Sequence, residues 1–371
     1  MYLLTKLFAL LMDKRLREQT SLDNRQLGFK KGVGTREAIV ALVGLVASSK
    51  ARKLPLLAAF VDFSKAFDKV PRGLLLRRLR EEGVSEYDVL MVHAMYFDVW
   101  ARVDGADREI QEGAGVKQGD LLSPLLFFLF INNLYRHIRL SAHREDKLEG
   151  EESEKDGTVS DERSIESRTR DYPWAGRLRG VGIAKGNKKT EVAVKRKRGK
   201  VRVSQDDTIC VGPKPLESLG YADDLVLFGR SSHELQARMN KLAEYCRMWG
   251  FTVNLKKTKV MRLSCSKENI SQSIFFKGKE VERTGQYKYL GCTFFEGGSL
   301  RSSVRHRLGV AERALGGVIG LCVSLGRLSP TSKIMLFRGL WIPVALYRLE
   351  AFSLSQADMK ALNDLQLRFV R

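Results

Sequence analysis

The 371-residue sequence predicts an α+β fold. Two observations carry that expectation. A short apolar run with the length of a strand, Leu56 to Phe63, and a strand–turn–strand pattern across Tyr221 to Phe228 lie between segments whose apolar residues recur at helical spacing. From Leu300 to the end the pattern is helical with little interruption beyond the break at Gly326 to Pro330.

The elements follow in order. Residues 1–20 and 35–50 have apolar positions one helical turn apart, for example Ile39, Leu42, Val43 and Val46, with a turn-rich stretch from Gly28 to Gly34 between them. Leu56 to Phe63 is a short run, apolar but for Asp62, of the kind found in a strand covered on both faces. Pro71 opens a helical pattern that stops near Gly83. Trp100 to Gly105 and Arg108 to Gln111 read as two strands around a glycine turn. Pro124 stands near the start of an apolar helix expected to reach about Ile138. A strand–turn–strand pattern crosses Tyr221 to Phe228, and a helix from Ser232 to Trp249 ends before Gly250. Val281 to Phe295 reads as strands around Gly291.

Between these blocks the composition changes. Residues 145–166 are rich in Glu, Asp and Ser and poor in large apolar side chains, so disorder is expected there. Lys185 to Arg202 is strongly basic and contains Lys195-Arg196-Lys197-Arg198. That run reads as a solvated loop, a nucleic-acid contact or a nuclear import signal.

Charge points to the partner. Lys and Arg number 64 against 43 Asp and Glu, a net charge of +21. A field of that sign attracts polyanions, and neutralised phosphates would supply much of the affinity for a nucleic acid. The five cysteines, Cys210, Cys246, Cys265, Cys292 and Cys322, form no zinc-binding pattern and read as ordinary thiols of a reducing compartment. The apolar stretch from Leu3 to Met12 is interrupted by Lys6 and lacks a cleavage site, so a buried helix is expected and not a signal peptide. The longest apolar run, Leu125 to Ile131, is too short to span a bilayer. The expectation is a nuclear or cytoplasmic protein, neither secreted nor membrane-bound. Nothing in the pattern sets an oligomeric state.

Two clusters of carboxylates carry the chemistry. One is Phe60-Val61-Asp62-Phe63-Ser64-Lys65-Ala66-Phe67-Asp68, the other Tyr221-Ala222-Asp223-Asp224-Leu225-Val226-Leu227-Phe228. Each sets an Asp beside an apolar strand, where an unpaired charge is expensive. An ion pair explains one such Asp, but two in tandem repel each other. A divalent cation resolves the conflict, since Mg²⁺ takes one or two carboxylates plus substrate phosphates. Two such ions are able to activate an attacking 3′-oxygen and stabilise departing pyrophosphate.

These clusters, with three further blocks in a fixed order, resemble the reverse transcriptase family, most closely the polymerases of non-LTR (LINE-type) retrotransposons. Motif A resembles Phe60 to Asp68. Motif B resembles Gly115-Val116-Lys117-Gln118-Gly119-Asp120-Leu121-Leu122-Ser123-Pro124, and motif C is Tyr221 to Phe228. Motif D resembles Gly250 to Lys259, and motif E resembles Tyr287-Lys288-Tyr289-Leu290-Gly291. The likeness runs from about Gln26 to the C-terminus, apart from the polar insert. It implies a right-hand polymerase fold. Residues 1–56 would be a fingers remnant with N-terminal helices, 57–140 the palm with motifs A and B, and 141–217 a polar, partly disordered insert. Residues 218–297 would be the palm with motifs C, D and E, and 298–371 a helical thumb-like region.

The resemblance also implies roles. Asp62, Asp223 and Asp224, with the carbonyl of Phe63, would hold two Mg²⁺ ions, Mn²⁺ being an alternative. The amides of Lys65 and Ala66 would face the triphosphate, and Phe67 would sit under the sugar as a steric gate. Asp68 is expected to cap the following helix. Gln118 and Gly119 would border the incoming nucleotide. Lys257 would be the general acid for pyrophosphate, the other reading being a solvated basic face with Lys256 and Lys259. Tyr287, Lys288, Tyr289, Leu290 and Gly291 would grip the primer end, although Tyr289 equally suits packing. The implied function is RNA-directed DNA synthesis, by phosphoryl transfer at two metals, on an RNA template and DNA primer with deoxynucleoside triphosphates. Several departures favour the rival reading of a truncated, catalytically silent nucleic-acid-binding remnant. The chain starts just before the Gln26 block, Leu122 stands where a Pro is common, and Tyr347-Arg348-Leu349-Glu350 replaces a more usual Tyr-Gly-x-Glu.

Overall fold

The computed structural model describes residues 3–30, 32–96, 100–102, 109–111, 114–117, 119–145, 210–211, 214–264 and 272–370. Residues 1–147 and 207–371 belong to one unit, to which all that follows refers; residues 148–206 form a second and lie outside the described residues. The expected disorder at 145–166 and the basic run at 185–202 therefore fall almost wholly outside them.

In chain order the elements are helices α1 (Leu3–Gln19) and α2 (Thr35–Ala51), strand β1 (Leu56–Asp62), and helices α3 (Arg72–Glu81) and α4 (Glu86–Tyr96). The paired strands β2 (Trp100–Arg102) and β3 (Glu109–Gln111) follow, then helices α5 (Ser123–Ile131) and α6 (Leu134–Glu145). Next come β4 (Cys210–Val211), β5 (Lys214–Pro215), β6 (Ser218–Tyr221), β7 (Asp224–Gly229), helix α7 (Ser232–Trp249) and β8 (Lys259–Ser264). The strands β9 (Phe275–Phe276), β10 (Lys279–Glu280), β11 (Gln286–Tyr289) and β12 (Cys292–Phe295) lead into helices α8 (Leu300–Ser324), α9 (Pro330–Leu336), α10 (Ile342–Leu346) and α11 (Gln356–Val370).

Four strands make one antiparallel sheet in the order β6-β7-β1-β8. β1 is central, and its apolar run divides between two faces with the two-residue period of a strand. Leu57, Ala59 and Val61 enter one core with α1, α3, α5 and α7. Leu56, Ala58 and Phe60 enter another with α2, β12 and the start of α8. β7 alternates likewise, with Leu225 and Leu227 on the first face and Val226 and Phe228 on the second. A sheet covered on both faces has no polar side, which is why these strands read as continuous hydrophobic runs.

Helix α5 is apolar on every side because it is enclosed: all of its residues but Pro124 are buried. It does not continue to Ile138 as expected but breaks at Asn132–Asn133. The Asn132 amide donates to the carbonyl of Ser21 (2.9 Å) and to Glu82 (2.8 Å), and its oxygen accepts from the amide of Asp23 (2.8 Å). Those tertiary bonds fix a corner that no local pattern records. Helix α7 ends as expected: Ser231 caps its start by accepting from the Glu234 amide (3.1 Å), and Gly250 closes it at φ 75°. Helices α4 and the strand β8 were not expected from periodicity. Asp68 does not cap α3: the N-cap is Pro71, without a side-chain bond.

The C-terminal helices have a core of their own, in which Ala311, Leu315, Phe337, Trp341 and Leu365 meet. The Trp341 indole donates to the carbonyl of Ala311 (2.8 Å) and so satisfies its one polar group inside it. Of the cysteines, Cys246, Cys292 and Cys322 are buried free thiols. No helix among the described residues is long and apolar enough to cross a membrane.

Candidate active site

Antiparallel pairing brings the two carboxylate clusters together. Asp62, the last residue of β1, lies opposite Asp224, the first of β7. Asp223 is in the two-residue turn that joins β6 to β7, immediately before it. Asp62 and Asp223 line one open pocket of about 480 Å³, with the 63–68 loop, Asn254 and Lys257 around them. Asp224 sits next to it and lies half-buried.

The loop after β1 is held from both sides. The carbonyl of Asp62 accepts from the Asn254 amide (2.8 Å), and the Ser64 amide donates to the carbonyl of Thr252 (2.8 Å). The amide of Asp62 itself donates to the hydroxyl of the fully buried Thr258 (3.2 Å). Motif B is stitched on next: the amides of Val116 and Gly115 donate to the carbonyls of Phe67 (2.9 Å) and Val70 (2.8 Å). Gly115 has φ 88°, and a Cβ there would lie 2.6 Å from the carbonyl oxygen of Asp68, so only glycine permits this approach.

Burial and charge set the electrostatics. Burial foremost, then the neighbouring Asp223 and Asp62 charges, push the Asp224 carboxyl up to about 6, against a smaller opposing effect of Lys257. The Tyr287 hydroxyl is pushed up to about 12, by burial first and then by Asp224 and Asp62. The Lys257 ammonium lies 3.8 Å from an Asp62 carboxylate oxygen and is 68% exposed, so it stands at the pocket mouth. Lys259 instead pairs with Glu282, and Lys256 points to solvent. Of these three lysines, Lys257 is the one that faces the carboxylates.

The remaining expected residues divide. Phe63, Lys65, Ala66 and Phe67 all line the pocket. Phe67 is half-buried, with its ring stacked on Phe127 at 4.4 Å between centroids. Gln118 lies outside the described residues, and Gly119 is exposed at φ 81° without lining the pocket. In the β11–β12 hairpin Tyr287 stacks on Phe60 at 4.2 Å, and Lys288 is exposed. Tyr289 is only 2% exposed, so packing is the role its side chain has here. The hairpin tip is held by Tyr347, whose hydroxyl donates to the carbonyl of Leu290 (3.0 Å) and whose ring leaves no room for a Cβ at Gly291.

Sequence reasoning gave no role to Asn254, Thr258 or Gln26, which hold the ends of these strands. Their partners are remote in the chain, and no spacing rule points to them.

The donor set suits a hard divalent cation. Two carboxylates converge on one open pocket, and a third is held close enough to feel their charge. Among the described residues no three His, Cys, Asp or Glu side chains close into a complete cage. Mg²⁺ does not need one, since it keeps waters and binds through one or two carboxylates plus substrate phosphates.

Comparison with known proteins follows the same lines. The profile of the reverse transcriptase (RNA-dependent DNA polymerase) family matches residues 1–151 and 211–294. The chain is 23% identical over 370 residues to the Retrovirus-related Pol polyprotein from type-2 retrotransposable element R2DM of Drosophila melanogaster, covering 96% of this chain and 28% of that protein. It is 22% identical over 373 residues to the Pol polyprotein from type-1 retrotransposable element R2 of Popillia japonica, covering 98% of this chain and 42% of that one. The chain thus spans less than half the length of these relatives. Among solved structures, telomerase from Candida albicans in complex with a fragment of telomeric RNA aligns over 98% of this chain and 55% of that one, with a TM-score of 0.46 and 11% identity. With more than half of its length matched by the family profile, and retrotransposon Pol polyproteins aligned along nearly all of it, the chain belongs to the reverse transcriptase family, on the non-LTR retrotransposon side.

Proposed function

We propose that this chain carries out RNA-templated DNA synthesis, in which a primer 3′-hydroxyl attacks the α-phosphate of a deoxynucleoside triphosphate and pyrophosphate leaves. The observation that carries this reading is the convergence of Asp62 and Asp223 on one pocket, with Asp224 and Lys257 beside them. Asp62 and Asp223 would hold Mg²⁺ or Mn²⁺, with Asp224 as a further carboxylate and the Phe63 carbonyl as a further oxygen. The ions would supply charge neutralisation for the attacking and departing oxygens.

The other parts of the pocket have complementary work. Lys257 Nζ, at the pocket mouth 3.8 Å from Asp62, would stabilise the negative charge that develops on the leaving group and supply a proton to it. The turn at Lys65 and Ala66 offers backbone amides to the triphosphate. Phe67, stacked on Phe127 in the pocket wall, would sit under the sugar and disfavour a 2′-hydroxyl. Gln118 and Gly119 would border the incoming nucleotide, as the resemblance implies, and the Tyr287–Gly291 hairpin would position the primer end. Residues 57–140 and 218–297 act as the palm, 298–371 as the thumb, and 1–56 as what this chain has of the fingers, with 141–217 inserted between the palm segments. The net charge of +21 suits an RNA template and DNA primer.

A primer-extension assay on poly(rA)/oligo(dT) with Mg²⁺ and deoxythymidine triphosphate tests the proposal. Extension that requires the RNA template supports it. A folded chain that binds the template–primer without extending it is instead a silent nucleic-acid-binding relative.

A further inference from the structure

Gln26 is 1% exposed and far from the carboxylates in sequence, yet its side-chain amide reaches the turn that carries Asp223. Its Oε1 accepts from the amides of Ala222 (3.2 Å) and Gly28 (3.1 Å), and its Nε2 donates to the carbonyl of Ala222 (3.2 Å). The backbone around it pairs with β6 at a single parallel bridge, Gln26 to Gly220. The Gly220 amide donates to the carbonyl of Arg25, and the Leu27 amide to the carbonyl of Gly220, both at 2.9 Å.

Ala222 is the residue before Asp223 and has φ 58°, a conformation that side chains other than glycine rarely adopt. At that φ its N–H and C=O leave the β6–β7 ladder and need partners from elsewhere. A glutamine supplies one acceptor and one donor from the same planar group, as a neighbouring strand would. Gly28 completes the brace, since a Cβ there would lie 2.6 Å from the Ala222 nitrogen. We infer that Gln26 is a positioning residue for the candidate active site: it clamps the Ala222 peptide in its positive-φ turn and so sets where the Asp223 carboxylate stands relative to Asp62. The inference deepens the proposed function and rests on it for its catalytic consequence, but the clamp itself is a statement about backbone hydrogen bonds.

Substitution separates the two. Gln26→Leu keeps the approximate volume and removes both hydrogen-bonding functions. Leu45→Ala, a buried residue of α2 that makes no hydrogen bond to the turn, serves as a control for loss of stability alone. Both are compared with the unaltered chain by thermal melting, by amide hydrogen exchange and by steady-state primer extension. In Gln26→Leu the amides of Ala222 and Gly28 exchange faster, and kcat falls at least about tenfold with KM for template–primer little changed, because a displaced carboxylate costs rate and not binding. Leu45→Ala, at comparable melting temperature, keeps kcat within a few-fold of the unaltered chain. A Gln26→Leu chain whose kcat falls no further than that of Leu45→Ala overturns the positioning role, and unchanged exchange at Ala222 overturns the clamp. A wild-type chain that extends no primer overturns the proposed function and with it the catalytic consequence, while the exchange measurement still decides the clamp.

Discussion

At the residue scale, Asp224 links electrostatics to stability. Its folded carboxyl is pushed up to about 6, above the ordinary value of 3.8, so the native state holds that proton more tightly than the unfolded chain does. The contribution is fully present below the unfolded value, shrinks as pH rises through the folded value, and is gone above it. Without divalent ions, the melting temperature should therefore fall between about pH 4 and pH 6.5 because of this group. Asp224→Asn should remove that part of the fall and melt roughly 2 °C or more higher at pH 7.5. Mg²⁺ should raise the melting temperature of the unaltered chain more at pH 7.5 than at pH 5, and an equal rise at both would detach the ion from this carboxylate cluster. Phe67 makes a second test. If its ring excludes the 2′-hydroxyl, Phe67→Ala should raise the ratio of kcat/KM for ribonucleotide over deoxynucleotide by about tenfold or more, since discrimination needs a contact that differs between the two substrates. An unchanged ratio returns Phe67 to plain packing on Phe127. Asp62 and Asp223 stand out in the sequence because a charge beside an apolar strand is conspicuous, whereas Lys257 is singled out by the resemblance alone. Gln26 was not legible there: its partner is 196 residues away, and a lone glutamine before a turn carries no local sign of what it will bond.

At the element scale, β1 and β7 could be read directly, since a strand buried on both faces announces itself as an apolar run bounded by polar residues. The corner between α5 and α6 could not, because Asn132 makes it through bonds to Ser21, Glu82 and Asp23. β8 escaped notice because Lys259 and Arg262 give its segment the look of a basic loop. The departure Tyr347-Arg348 acquires a physical meaning here. Arg348 has φ 60° and ψ 12°, the left-handed conformation for which glycine is suited. Its guanidinium sits 4.8 Å from the Tyr347 ring centroid and bonds to Thr35, which helps hold a turn its backbone disfavours. Arg348→Ala and Arg348→Gly lose the same contacts and differ in backbone freedom alone. The Gly variant should be the more stable of the two by about 1 kcal/mol in denaturant unfolding, the reverse of the order in a helix. An Ala variant as stable as the Gly one would mean that the turn relaxes once the side chain is gone.

At the scale of the whole molecule, the sheet that positions the carboxylates is also what the two largest cores share. Phe60 lies 1% exposed between β1 and the β11–β12 hairpin, stacked on Tyr287, so its truncation strikes fold and site together. Phe60→Ala should cost roughly 3–5 kcal/mol of stability in urea. A loss below about 1 kcal/mol would mean that the hairpin is not packed on the sheet as described. The α+β class was readable from periodicity, whereas the antiparallel register that sets Asp62 opposite Asp224 is a tertiary fact. The central claim is that Asp62 and Asp223 act as one unit. Single-turnover primer extension with Mg²⁺, comparing the unaltered chain with Asp62→Asn, Asp223→Asn and the double variant, tests it most directly. Each single variant should lose at least about a thousandfold, and the double variant should be scarcely worse than either, as for groups that work only together. A single variant that keeps its rate within a few-fold of the unaltered chain, or losses that multiply in the double variant, would contradict the account.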